Sequence, residues 1–158
     1  MFRPMRRFRQ EMTREACEEI LRSAPSGVLS LLDEDGYPYG VPMNHHFRDG
    51  KVYFHCAASG HKLDAARHYQ KASYTVVDRD VLVPEKLTTS YRSVIAFGEI
   101  RLIEDTEEKR AAAIALSEHL APGVSHAHES GGNLRNLVIM EMNIHHLSGK
   151  QSMDQVNK

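Results

Sequence analysis

Residues 27–62 read GVLSLLDEDGYPYGVPMNHHFRDGKVYFHCAASGHK, and this stretch decides the fold. Val28–Leu32 is short and apolar and runs into Asp33-Glu34-Asp35-Gly36, a hairpin turn signal. Tyr39–Phe47 reads as the return strand. Pro42 inside it marks an irregular or edge position, because proline cannot donate to a ladder. Arg48-Asp49-Gly50-Lys51 is a second turn and Val52–Cys56 a third strand. Three strands joined by such short turns form an antiparallel meander.

The same period continues outward. Ala72–Val77, Tyr91–Ile103 and Leu137–Leu147 read as further strands, the last alternating Val138, Met140, Met142 and Ile144 with Glu141, Asn143 and His145. Helices are few. Thr13 caps one running to about Arg22, Gly60 opens a short one to Tyr69, and Thr106 begins an Ala-rich one to Leu120. Residues 78–90, with Pro84, read as a loop or crossover, and 121–133 as a glycine-rich loop. Around six strands with short helices predict a mainly β domain whose antiparallel sheet closes, or nearly closes, on itself.

The length of 158 residues suits one domain. We divide it into an N-terminal arm (1–12), the folded domain (13–150) and a polar tail (151–158) that is expected to fray. A formal net charge of −1 argues against nucleic acid or membrane as a general partner, and Arg3, Arg6, Arg7 and Arg9 read as a solvated arm. Cys17 and Cys56 lie far apart with no CxxC spacing, which points to a reduced, cytoplasmic setting.

Three segments hold chemistry. In His55-Cys56-Ala57-Ala58-Ser59-Gly60-His61-Lys62, a strand ends and a glycine opens a helix with lysine in its first turn. Such a start offers free N–H groups, a positive dipole end and a full charge, which suit a phosphate; a plain turn with a solvated lysine reads equally well. In Tyr37–Asn44, a proline-broken strand leaves backbone groups for the edge of a flat heterocycle, or simply blocks aggregation. In Thr88–Gly98, hydroxyls and Arg92 gather at a strand start. The ten histidines show no metal-site spacing, since adjacent histidines on a strand face opposite ways; His126 and His128 share a face only if extended.

Taken in order, these segments resemble the pyridoxamine 5′-phosphate oxidase-like flavoproteins, and most of all the branch containing the nitroimidazole-resistance (Nim) proteins. Gly36–Asn44, Asp49–Ala57, Gly60–Asp64, Tyr91–Glu99 and His146–Lys150 carry the likeness over about residues 5–150. The resemblance implies a six-stranded FMN-binding split β-barrel and a homodimer with FMN at its interface, touched by both chains. It implies that Val41, Pro42, Met43 and Asn44 line the flavin ring, and that His55, Cys56, Gly60, His61 and Lys62 approach its phosphate. Tyr91, Arg92 and Ser93 complete the site, with Lys150 near it. The implied activity is reduction of a small acceptor, nitroreductase-like, with an electron donor such as NAD(P)H. His45 and His61 are the candidate proton donors, because imidazole titrates near neutral pH. The rival is a flavin- or haem-binding module without turnover.

Overall fold

The first hairpin forms where its turn chemistry requires. Asp33 Oδ1 accepts from Tyr37 N at 2.7 Å, and Asp33 O accepts from Gly36 N. The strands it joins are β1 (Ser26–Leu32) and β2 (Pro38–Asn44), in register from Ser26–Asn44 to Leu32–Pro38. β3 (His46–Arg48) and β4 (Lys51–Ala57) turn back through Asp49-Gly50. Beyond them come β5 (Lys71–Val83), β6 (Thr88–Leu102) and β7 (Leu137–Gln151). The helices are α1 (Arg14–Ser23), α2 (His61–His68) and α3 (Thr106–Leu120). The structure is a computed structural model, and it describes residues 2–124 and 136–156.

All seven strands join one antiparallel sheet in the order β2-β1-β5-β6-β7-β4-β3. That order dictates closure. β2 and β3 are opposite edges of the sheet, yet only His45 separates them in sequence. Asn44 and His46 therefore lie within two residue lengths of each other, and the sheet curls until its edges meet there. The result is the split barrel expected, with one difference. The single return strand expected over Tyr39–Phe47 is broken at His45 and serves both edges.

The barrel is filled by the alternating inner residues. Leu29, Leu31, Phe54, Tyr74, Val76, Val94, Ala96, Met140 and Met142 are buried, and Cys17, Ile20 and Leu21 of α1 cap one end. Gly27 has a steric reason. A Cβ there would lie 2.5 Å from Thr75 O and 2.7 Å from the Tyr74 ring.

Four other expectations change. Residues 78–90 are no crossover: β5 and β6 extend through them as a long hairpin, with Val83 opposite Thr88 and a register shift at Val77/Arg79. β7 runs to Gln151, and the tail continues into a 3-10 turn at Met153–Gln155 with Ser152 buried. The arm is docked, not solvated along its length: Met12 N donates to Gly149 O, and Phe2 stacks on His146 at 4.4 Å. α3 is capped by Asp105, one residue before the expected Thr106, whose neighbour's carboxylate accepts from Glu108 N at 2.8 Å. Thr13 caps α1 as expected, accepting from Ala16 N at 3.2 Å. His126 and His128, and most of the 121–133 segment, lie outside the described residues. Among the described residues, no helix is long and apolar enough to cross a membrane.

Candidate functional site

β2 pairs with β1 alone, so its outer edge keeps unpaired backbone groups. Along it Met43 points into the core, whereas Pro42 and Asn44 are exposed and Val41 is half-buried. Proline fits this strand only with its nitrogen turned away from the β1 ladder. Asn44 fixes the end of the strand by donating its Nδ2 to Pro25 O at 2.9 Å.

The start of α2 lies beside this edge. Its His61 ring stacks on Tyr39 of β2 at 4.1 Å, and His61 Nε2 is 3.6 Å from Asp33 Oδ2 in the β1–β2 turn. Gly60, at φ +127, is a backbone conformation that side-chain-bearing residues rarely adopt, and a Cβ there would meet open space. No side chain caps this helix; Leu63 N and Asp64 N donate to Gly60 O at 2.9 and 3.2 Å, which leaves the amides of His61 and Lys62 without a hydrogen-bond partner among the described residues. Lys62 forms no ion pair among the described residues. Burial pushes the Cys56 thiol up, against the pull of Lys62 and Arg67, so Cys56 is a protonated core residue rather than a nucleophile. His55 is on the opposite, exposed side of β4.

The structure thus sets the start of α2, Gly60–Lys62, beside β2 through the His61–Tyr39 contact and near Cys56 of β4. It does not bring Tyr91, Arg92 and Ser93 to them within one chain. β1 and β5 separate β6 from β2, and the 91–93 segment has its own partners. Arg92 pairs with Asp78 at 3.1 Å, Tyr91 N donates to Ser152 Oγ, and Lys150 lies 5.5 Å from the Tyr91 ring.

Of the two candidate proton donors, His45 is corrected. It is fully buried at the corner between β2 and β3, with Nε2 2.8 Å from Leu21 O and Nδ1 2.8 Å from Tyr74 Oη. Desolvation lowers its pKa to about 4, so it is neutral at physiological pH with both nitrogens engaged. It pins the barrel's seam. His61 is exposed beside β2, with its ring against Tyr39. Sequence reasoning missed Tyr74, whose hydroxyl lies 2.9 Å from Met43 O; its signal was only an inner position in the Ala72–Val77 alternation. It also missed Tyr39 and Asp33, which position His61.

A second polar cluster lies under α3. Glu141 is 3% exposed and accepts from Lys51 Nζ at 3.1 Å and Arg101 Nε at 2.8 Å, while Arg101 also reaches Glu108. Burial pushes the Glu141 carboxyl up, but hydrogen bonds from Arg101, Lys51 and Tyr53 outweigh it and hold it below the usual range. Every charge there has its partner inside the chain.

Comparison with known proteins fits this architecture. A candidate 5-nitroimidazole antibiotic resistance protein from Bacteroides thetaiotaomicron superposes with a TM-score of 0.76 at 24% identity, over 89% of this chain and 85% of that one. The flavocytochrome Anf3 from Azotobacter vinelandii does so at 0.75 and 21%, over 95% and 72%. An FAD- and haem-binding protein from Mycobacterium smegmatis does so at 0.74 and 20%, over 91% and 74%. At these identities the likeness is one of fold. No curated protein matches the chain. The family model described as pyridoxamine 5′-phosphate oxidase matches residues 13–151, a span that holds all seven strands and all three helices, and this chain therefore belongs to that family.

Proposed function

We propose that this protein is an FMN-binding flavoprotein of the Nim-like branch, a homodimeric oxidoreductase that reduces a small acceptor in a nitroreductase-like reaction. One observation carries the reading. The uncapped start of α2, with the unpaired Lys62, lies beside the free edge of β2. A phosphate answers the first and a flat heterocycle with edge donors and acceptors answers the second. The residues fit the group. Gly60, His61 and Lys62 would hold the phosphate with His55 and Cys56 close by, and Val41, Pro42, Met43 and Asn44 would lie along the ring. The names of the Bacteroides, Azotobacter and Mycobacterium proteins support the branch and the flavin.

When bound, the flavin supplies electron transfer from a donor such as NAD(P)H to the acceptor. The chain's own part is positional. The amides of His61 and Lys62 and the Lys62 ammonium orient the phosphate end. His61, braced by Tyr39 and Asp33, presents a ring nitrogen at the edge of the site. Tyr91, Arg92 and Ser93 are two strands away, so in this reading they serve the flavin of the second subunit.

The test is the visible spectrum of the purified protein, followed by mass identification of the released cofactor. An oxidised-flavin spectrum and the mass of FMN are expected. A Soret band without flavin sinks the reading and favours a haem module, and flavin without any turnover of nitro compounds favours a carrier or sensor. Light scattering tests the assembly: a monomer that retains flavin tightly contradicts the shared site.

A further inference from the structure

The long β5–β6 hairpin extends beyond the barrel, and a hollow of about 470 Å³ lies between it and the two terminal 3-10 turns. Tyr91, assigned above to the flavin of the second subunit, stands at its border, but the cations lie on other walls. Arg7, Arg79 and Lys86 line it, together with Gln10, Thr88, Ser90 and Asp154. Seven other arginines of the chain form ion pairs with carboxylates. Among the described residues, Arg7, Arg79 and Lys86 form none.

The carboxylate in the hollow forms no ion pair with them and is held instead by three neutral donors. Asp154 Oδ1 accepts from Ser152 Oγ at 2.6 Å, and Oδ2 accepts from Ser90 Oγ at 2.6 Å and Gln155 Nε2 at 2.7 Å. Those bonds hold its carboxyl well below the ordinary range, so it stays charged and fixed. Ser90 Oγ in turn accepts from Arg79 Nε at 3.0 Å. This relay orients the guanidinium and leaves its two terminal amino groups for a ligand, in the fork geometry that matches an oxyanion.

Gln10 supplies a separate pointer. Its residue is 6% exposed, and its buried Oε1 has no hydrogen-bond partner. A buried acceptor left unbonded is costly, and native structures seldom keep one without a partner. It lacks a donor.

We propose that this hollow binds a phosphorylated small molecule, with its phosphate on Arg79, Lys86 and Arg7 and a hydroxyl or amide donor turned to Gln10. Three separate cations suit an oxyanion with at least three oxygens better than a single carboxylate. The volume is that of a small-molecule site and exceeds what inorganic phosphate fills.

The experiment is calorimetric titration of the full-length protein with ribose 5-phosphate and, separately, inorganic phosphate. Saturable binding of ribose 5-phosphate is expected, with inorganic phosphate about tenfold weaker because it fills only the cationic end of the hollow and does not reach Gln10 from there. Arg79→Gln and Lys86→Gln should each weaken both probes about tenfold, the loss of one charge-assisted contact. Gln10→Leu should weaken ribose 5-phosphate and leave inorganic phosphate unchanged. Flavin content should be unchanged in Lys86→Gln and Gln10→Leu, whose residues lie outside the flavin set, which separates this site from the one along β2. If Arg79→Gln fails to fold, having lost its bond to Ser90, Lys86→Gln decides, since that side chain forms no ion pair among the described residues. Absence of saturable binding up to about 10 mM, the weak limit of a specific site, overturns the proposal. So does binding that neither charge variant weakens. Binding confined to phosphatidylglycerol vesicles overturns it too, because the occupant is then a lipid surface.

Discussion

The Glu141 cluster and the β2–α2 edge are both polar regions of one small barrel, and they differ in a single respect. At Glu141 a buried carboxylate meets Lys51, Tyr53 and Arg101, and Arg101 reaches on to Glu108, so the charges are answered inside the chain. Along β2 and at Gly60–Lys62, amides, carbonyls and an ammonium are left unanswered. The seam at His45 belongs with the first region: its buried imidazole has a partner on each nitrogen. A polar group with all its partners holds the fold. A polar group left open at a fixed position is what a ligand finds. The contrast separates structural from functional polarity without reference to residue type, since lysines, histidines and tyrosines occur on both sides.

The largest effect expected is acid destabilisation from the closed region. His45 has a pKa of about 4 in the folded protein, lowered from 6.5 first by desolvation. The unfolded chain therefore binds the proton more readily. Stability is full above pH 6.5 and is lost as pH falls from there towards 4, by about 1.4 kcal/mol per pH unit and about 3 kcal/mol in all. His46, also lowered by burial, adds in the same direction. Urea denaturation at a series of pH values measures the slope, and a flat profile between pH 6.5 and 5 breaks the assignment of a neutral, pinned His45. The next effect is Glu141→Gln. Lys51 and Arg101 are half-exposed, which moderates the loss, and we expect about 2 kcal/mol with unchanged flavin content per folded molecule. A fall in flavin content at constant stability would blur the line between the two regions. The smallest effect on the fold comes from the open region. Lys62→Ala should leave stability within about 0.5 kcal/mol yet weaken FMN about tenfold, the loss of one charge-assisted phosphate contact. Fluorescence titration with FMN checks it; unchanged affinity moves the phosphate away from α2.

The open region was the more legible in the sequence. Gly60 and Lys62 announce an uncapped, basic helix start, and Pro42 announces an edge, because each departs from what a plain turn or strand needs. The turns at Asp33–Gly36 and Asp49–Gly50 and the cap at Thr13 were local signals and gave the meander. The closed region was hidden. Nothing in Met43-Asn44-His45-His46-Phe47 marks a break, since the alternation runs through it; the partners that demand the break come from α1 and β5. The hairpin over 78–90 was hidden too, because Asp78, Asp80 and Pro84 are poor strand formers that twelve paired positions between β5 and β6 override. Glu141 looked like an outward residue of an alternating strand, and only the third dimension supplies Lys51 and Arg101.

The seam at His45 also has a hydrogen count. Leu21 is four residues before Pro25, which has no amide hydrogen, so the Leu21 carbonyl loses its helical donor and takes one from His45 Nε2 instead. That fixes the tautomer: Nδ1 of the neutral ring is bare. Tyr74 Oη faces two acceptors, His45 Nδ1 at 2.8 Å and Met43 O at 2.9 Å, with one hydrogen to give. Charging the ring supplies the missing hydrogen, since Nδ1 then donates to Tyr74 and the tyrosine is free to donate to Met43. The same proton that weakens the barrel as a whole therefore completes the bonding of β2 from beneath, at the strand whose other edge stands open.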